Sequence, residues 1–460
     1  MSYQSAIDQL NAMVPELFNK PGQPRRKFSL AEIGILLDSL GNPHKQFASV
    51  LIAGTNGKGS TASTLASILK ESGLRTSLYT SPHLHRPNER IDVNGSEIED
   101  QAFASLFFRV GAAAQQAVLD GKLTQFPSFF ETLTAMAFLH FAAERVEIAV
   151  LEVGMGGRLD ATNIVEPLLS IITDISLDHT EWLGSTIAAI TREKAGILRS
   201  GGTLITLPQH PDANRVLGEV ASELDVRGVS AVPYMPPAKT PGEGSALAAG
   251  DGASYFVEAL GAQVEVASPL SGAHQHRNVA LAIAAAVELA SSRGFPVTPA
   301  SISAGIRKTR WPGRLERIQS GGVEWIMDVA HNPAGAWALR ASLNSLLRQG
   351  EPDSKSATLI FSCLRDKPVT EMAQILFPIF DHVIFAPIRS PRATPMSDLL
   401  AAAETTGTSA EPAESVSHAL ELARVECGGG VIVVSGSVYL VGEARSLLLA
   451  PLPQPVGAQP

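Results

Sequence analysis

Cysteine is scarce in this chain: Cys363 and Cys427 are the two present among 460 residues. Two thiols build neither a disulfide framework nor a thiolate metal cluster. No run approaches the roughly 18 uninterrupted apolar residues that a membrane span requires. Met1 to Glu16 has no basic stretch followed by an apolar core, so no secretory signal is expected, and the cytoplasm is the expected compartment. Basic residues are also in deficit, with 36 Lys and Arg against 45 Asp and Glu and a formal charge of −9. Phosphate backbones attract basic surfaces, which makes nucleic acid an unexpected partner. One small anion in a local pocket is still compatible with that balance.

What the chain does have is enough apolar residue, 45% of the total, for more than one core, so two domains are the natural expectation. Ser49-Val50-Leu51-Ile52-Ala53 is a buried-strand run that stops at Gly54. From Ser60 to Ser72 the spacing turns helical, with Leu65, Ile68 and Leu69 on one face and Gly73 as the stop. Further strand runs are Ile148 to Leu151, Leu168 to Thr173 and Thr203 to Thr206. Helical patterns at Ser128 to Arg145 and Ser185 to Leu198 lie between them. This alternation predicts an α/β fold with a parallel sheet covered on both faces. Val229 to Ser254 is rich in Pro, Gly, Ala and Ser and reads as a surface insertion flanked by short strands. Helical spacing resumes from Asn278 to Ser292. After Trp311-Pro312-Gly313-Arg314 the alternation starts afresh, with strands at Val323 to Val329, Thr358 to Ser362, His382 to Ala386 and Val431 to Ser435. The expected division is an ATP-binding domain over 1–308, a linker over 309–314, a Rossmann-like domain over 315–450 and a disordered tail over 451–460.

Three clusters carry chemistry. Gly54-Thr55-Asn56-Gly57-Lys58-Gly59-Ser60 stands between a strand and a helix, the context of a phosphate-binding loop. Its backbone N–H groups can converge on phosphate oxygens where no Cβ intrudes, the helix N-terminus adds its dipole, and Lys58 supplies a point charge. Against G-x-x-x-x-G-K-[ST] it departs twice: Ile52 stands at the first Gly, and Gly59 separates Lys58 from Ser60. The second cluster, Glu152 to Asn163, places a carboxylate at the end of a buried strand, followed by Gly154, Gly156 and Gly157. Ligands of α/β enzymes bind at that edge. The third, Ser176 to Gly184, puts His179 after the next strand, within possible reach of a cation held by Glu152. Imidazole is an unusual Mg²⁺ ligand, and a lone His is more often a satisfied polar residue. Lys194, in Arg192-Glu193-Lys194-Ala195-Gly196, reads on its own as a solvated charge.

Together these segments resemble the folylpolyglutamate synthase/dihydrofolate synthase family of the Mur ligase superfamily. The resemblance rests on Gly54–Ser60, Thr80–Leu84, Asn88–Ile91, Glu152–Asn163, Ser176–Gly184 and Glu193–Ile197. It continues through His274–Asn278, Trp311–Arg314, Asp328–Pro333, Pro391–Ala393 and Ser435–Leu440, in family order over nearly the whole chain. It implies a Mur-ligase-like fold, with an N-terminal P-loop ATPase domain and a smaller C-terminal Rossmann-like domain. It also implies roles. Thr55, Asn56, Gly57, Lys58, Gly59 and Ser60 would bind ATP with Asn278, Arg314, Asp328 and His331. Ser81 and Glu152 would hold one Mg²⁺, and Glu152 with His179 a second. Lys194 matches a position carbamylated in the family. Arg158, Asp160 and Ala161 would help seat a pterin, and Phe28 and Ser29 lie in a segment that contacts dihydropteroate. The site would lie in a cleft between domains, with closure part of turnover.

The implied reaction transfers the γ-phosphoryl group of ATP to a carboxylate, and the amine of L-glutamate then displaces phosphate to form an amide. Such chemistry needs positioning and charge neutralisation rather than a side-chain nucleophile. The expected acids are dihydropteroate and tetrahydrofolate, the expected state a monomer. Folylpolyglutamate synthesis alone is the nearest alternative. A UDP-muramyl peptide ligase would share the loop but need an N-terminal UDP-binding domain, and about fifty residues precede the loop. A non-catalytic ATP-binding module would tolerate loss of Glu152, His179 or Arg314, all of which are present.

Overall fold

The structure is a computed structural model, and it describes residues 2–13, 29–237, 254–347, 357–428 and 430–450. Phe28, most of the expected insertion and the expected tail lie outside the described residues. The chain divides into two compact units whose main changeover falls between Trp311 and Pro312, with Leu270–Ala273 also assigned to the second.

In the first unit the strands are β1 (Ala48–Ala53), β2 (Thr76–Tyr79), β3 (Ile91–Val93), β4 (Ser96–Glu97), β5 (Ile148–Glu152), β6 (Leu169–Ile172), β7 (Thr203–Thr206) and β8 (Arg227–Ser230). They form one sheet in the order β4-β3-β2-β5-β1-β6-β7-β8. Six strands, β2, β5, β1, β6, β7 and β8, run parallel; β3 and β4 add an antiparallel edge. Strands covered on both faces need no polar alternation, and β1, β5 and β6 are indeed almost wholly apolar runs. Opposite faces of this sheet carry two hydrophobic clusters, one built around Leu51, Leu151, Phe130 and Phe138, the other around Val50, Ile52, Val150 and Leu65. Each large apolar side chain fully buried there stabilises by about 1.5–3 kcal/mol. A hairpin of β9 (Tyr255–Ala259) and β10 (Ala262–Val266) packs into the second cluster.

Local signals explain the helices that position the site. Phe129–Ala143 begins at a capping box, where Ser128 and Glu131 satisfy each other's backbone N–H groups. Lys58–Glu71 begins after Gly57, whose φ of +88° turns the chain into the helix. The helix Asp100–Leu119 is long and apolar enough to cross a membrane by length and composition. Here it lays Phe103, Phe107, Val110 and Ala114 on the core of the first unit instead.

The second unit holds β11 (Glu316–Ser320), β12 (Val323–Met327), β13 (Ala357–Phe361), β14 (His382–Phe385), β15 (Ala410–Pro412) and β16 (Val431–Ser435). Their order is β11-β12-β16-β13-β14-β15, parallel except for the β11 edge. This is a doubly wound α/β arrangement around a core that includes Leu359, Phe361, Phe377 and Phe385.

Candidate active site

Strand order assembles the site. The carboxyl ends of β2, β5, β1 and β6 lie side by side, so Ser81, Glu152, the Gly54–Ser60 loop and the Asp174–His179 segment arrive at one edge of the sheet. The register pairs Ile52 with Glu152 and Ala53 with Ile172, which sets the loop between the carboxylate strand and the histidine strand. Such an edge is where α/β sheets take ligands.

The loop is held from outside. The N–H groups of Thr55 and Asn56 both donate to the carbonyl of Asp174, at 2.8 and 3.2 Å. Thr55 Oγ1 donates to the Ser176 carbonyl and accepts from the Ser176 N–H, both at 3.1 Å. Arg277 grips the Asp174 carboxylate with two nitrogens at 2.6–3.0 Å. Lys58 reaches back to the Thr55 carbonyl at 3.2 Å. A Cβ on Gly57 would stand 2.1 Å from Asn278 Oδ1, so Asn278 lies against the loop, its amide N donating to Gln275 Oε1 at 2.8 Å. A Cβ on Gly54 would stand 1.8 Å from Thr173 Oγ1. Gly54→Ala is therefore expected to destabilise by about 1–3 kcal/mol through overpacking. Adding Thr173→Ala should recover part of that loss in thermal melts; equal melting temperatures for wild type and Gly54→Ala would refute the fit.

Glu152 is 4% exposed and accepts the Ser81 N–H at 3.2 Å. Its oxygen donors suit a hard cation such as Mg²⁺ better than any nitrogen. His179 takes φ +50° and caps the short helix Thr180–Leu183, with its ring 3.9 Å from the Asp178 carboxylate. Among the described residues no three His, Cys, Asp or Glu side chains converge into a metal cage. Mg²⁺ does not need one: it keeps several waters and binds through one or two carboxylates plus substrate phosphates. The residues present fit that mode.

Lys194 is not the solvated charge that its local sequence suggests. It is 4% exposed and donates to the Gly54 carbonyl at 2.6 Å. Burial, then the nearby Lys58 charge, pulls its pKa down to about 7. Glycines make this position possible. The backbone of Gly157 packs on the carbonyls of Glu193 and Lys194, and Gly196 packs on Arg158.

Asp160 spends its carboxylate on the loop itself. It accepts from Met155 N and Thr162 N, each at 3.0 Å, and from Thr162 Oγ1 at 2.6 Å, while burial pushes its pKa up. Arg158 pairs with Glu193 at 3.0 Å and stays half exposed. Beside them opens a cavity of about 150 Å³ lined by Ser29, Arg158, Asp160 and Ala161, together with Phe130, Met155, Trp182 and Leu183. Four of the five substrate residues expected from sequence thus line one pocket; Phe28 lies outside the described residues. On the β2 side, Arg90 Nε donates to His83 Nδ1 at 2.9 Å and its guanidinium lies 5.2 Å from the Phe129 ring. Burial drives the His83 pKa down to about 3, so the ring stays neutral as an acceptor.

In the second unit, Asp328 follows β12 and accepts from Leu315 N at 3.0 Å and Ala330 N at 2.9 Å. Val329 N donates to the Gly313 carbonyl at 3.0 Å, and His331 Nδ1 lies 2.9 Å from the Val329 carbonyl. Arg314 donates to the Gly313 carbonyl at 3.2 Å. Asp328, His331 and Arg314 therefore form a local group around the start of this unit. Sequence reasoning missed Asp174, Gln275 and Arg277 as supports of the loop, and Phe130, Met155, Trp182 and Leu183 as pocket walls. Gln275, Arg277, Met155, Trp182 and Leu183 stood within motifs already singled out, without a role assigned to them; Phe130 carried no signal beyond core periodicity.

Comparison with known proteins closes the assignment of class. The Mur ligase middle domain family matches residues 52–286, and the Mur ligase glutamate ligase domain matches residues 313–438. With the P-loop sheet and the second α/β unit, these define a Mur-type ligase. Folylpolyglutamate synthase of Lacticaseibacillus casei is 34% identical over 98% of this chain and 99% of its own length. Dihydrofolate synthase/folylpolyglutamate synthase of Bacillus subtilis is 34% identical over 93% of this chain and 95% of its own. The solved Mycobacterium tuberculosis folylpolyglutamate synthase, complexed with ADP and AMPPCP, superposes with a TM-score of 0.84 at 32% identity, over 98% of this chain and 99% of that one. An E. coli relative in complex with DHPP and ADP gives 0.80 at 27% identity, over 97% of each chain. The chain belongs to the folylpolyglutamate synthase family of the Mur ligase superfamily.

Proposed function

We propose that this protein is an ATP-dependent ligase that joins L-glutamate to folate-type carboxylates, making dihydrofolate from dihydropteroate and extending tetrahydrofolate into polyglutamates. The observation that carries this reading is one sheet edge holding the phosphate loop, Glu152 and Lys194 beside the pocket lined by Arg158 and Ala161. The loop amides and Lys58 bind and orient the ATP phosphates, and Asn278 braces the loop. Arg314, Asp328 and His331 are further ATP-binding residues in this reading. Glu152, with Ser81 and His179, would hold two Mg²⁺ ions, which when bound neutralise phosphate charge. The pocket beside Asp160 seats the pterin end, its aromatic and apolar walls excluding water. The γ-phosphoryl group passes to the substrate carboxylate with release of ADP. The glutamate amine then attacks the acyl carbon, the amide forms, and phosphate and a proton leave.

Lys194 fits carbamylation. A lysine whose pKa lies near 7 is largely a neutral amine under mildly alkaline conditions, and a neutral amine adds CO₂ to give a carbamate and a proton. This reading carries with it a monomeric enzyme of the cytoplasm. Purified protein given ATP, glutamate and dihydropteroate is expected to release phosphate in proportion to glutamate consumed, and likewise with tetrahydrofolate. Turnover on tetrahydrofolate alone would restrict the enzyme to polyglutamylation. Silence on both acids, with ADP still bound, would reduce it to a nucleotide-binding module.

A further inference from the structure

The glycine that separates Lys58 from Ser60 has a physical cause. A Cβ at Gly59 would stand 2.6 Å from Trp311 Cζ2 and 2.9 Å from both Cε2 and Nε1. The nitrogen-bearing edge of the indole therefore rests directly on the backbone of the phosphate loop, one residue beyond its lysine. The ring is delivered there by a continuous set of contacts. The helix Pro299–Lys308 lies along Lys58–Glu71 at close quarters, since a Cβ on Gly305 would stand 2.4 Å from Ile68 Cα. Ser67 Oγ donates to the Gly305 carbonyl at 2.7 Å, and Ser63 Oγ donates to the Arg310 carbonyl at 3.0 Å, pinning the residue before Trp311. The indole N–H is buried with no hydrogen-bond partner. A ring chosen for packing alone would incur no such cost with phenylalanine.

We propose that Trp311 is a positioning residue for nucleotide binding: its indole fixes the backbone of Gly59, and with it the direction in which the loop N–H groups and Lys58 face the ATP phosphates. This rests on the reading of the loop as an ATP site. The action of Trp311 on the nucleotide runs through Gly59. Loop amides aimed wrongly by a fraction of an ångström lose the convergence on which phosphate binding depends.

ADP titration by calorimetry on purified full-length protein tests the proposal, because it needs neither folate substrate nor turnover. Trp311→Ala is expected to weaken ADP binding about tenfold or more and to raise the ATP KM in step, with KM for the folate acid within about twofold of wild type. Trp311→Phe, which keeps a ring but not the edge that meets Gly59, should fall between. Gly59→Ala should reproduce the loss, and the double variant Gly59→Ala/Trp311→Ala should be no worse than the poorer single, since both break one contact. Circular dichroism and melting curves confine the comparison to folded protein. Wild-type ADP affinity in folded Trp311→Phe and Trp311→Ala, even with lowered melting temperatures, would overturn the proposal. Absence of ADP binding by the wild type would instead overturn the reading of the loop.

Discussion

Lys58→Ala is expected to lower kcat by at least about 10²–10³-fold, into the background of an ADP-release assay, while leaving the fold intact. The size of the effect follows from what the side chain is for. In phosphoryl transfer the protein contributes little covalent chemistry, so a fixed cation facing the developing charge carries much of the acceleration. The fold should survive because, among the described residues, the Lys58 amine makes one hydrogen bond, to the Thr55 carbonyl, and alanine is the better helix former at the first position of Lys58–Glu71. Lys58→Arg should not restore activity, since a planar fork of donors replaces a compact charge in a site shaped for the latter. Near-normal turnover in Lys58→Ala would remove the loop from the mechanism. A secondary consequence is testable in the same protein. The Lys58 charge is the second cause, after burial, of the depressed Lys194 pKa, so its removal should raise the pH at which Lys194 titrates.

The parts of this molecule that could be read from sequence are those whose environment is written in a short window. β1, β5 and β6 are mostly apolar because both faces of the sheet are covered, and their runs, like Thr203–Thr206 for β7, match the strands to within a residue or two. β2, Thr-Ser-Leu-Tyr, was not legible: its Thr76 and Ser77 are buried although polar. The antiparallel edge of β3 and β4 is too short to show alternation, so the sheet reads as purely parallel when it is mixed. At the site, Glu152 and Lys58 were legible because a strand end and a glycine turn announce them. The character of Lys194 was not. Its burial depends on Gly157 packing against its own backbone carbonyl from a segment nearly forty residues earlier, a contact that no periodicity encodes. Asp174 is similar: its carbonyl holds two loop amides, and backbone acceptors leave no trace in residue type.

Lys194→Ala is the other substitution expected to be severe, and it separates a carbamate from an ordinary lysine. If the carbamate is the working form, alanine removes an oxygen donor from beside Gly54 and turnover should fall by about 10²-fold or more. Acetate or propionate should recover part of it by occupying the vacated space. A lysine shown by mass and density to be unmodified in fully active enzyme would defeat the idea. The pH dependence adds an independent sign. An unfolded lysine keeps its proton up to about 10.5, whereas the buried group gives it up near 7, so between those values the unfolded state binds more protons. Stability attributable to Lys194 must then rise with pH across that window, and the burial penalty is greatest below about 7. Lys194→Met, of similar length and without a charge, removes the penalty. Melting temperatures of wild type should therefore gain on Lys194→Met as pH climbs from 7 towards 9, and CO₂ addition, which also releases a proton, reinforces the same sign. A wild-type melting temperature that fails to gain on that of Lys194→Met, or falls further behind it, as pH rises would mean that Lys194 keeps its proton in the folded protein, and an amine that keeps its proton cannot take up CO₂.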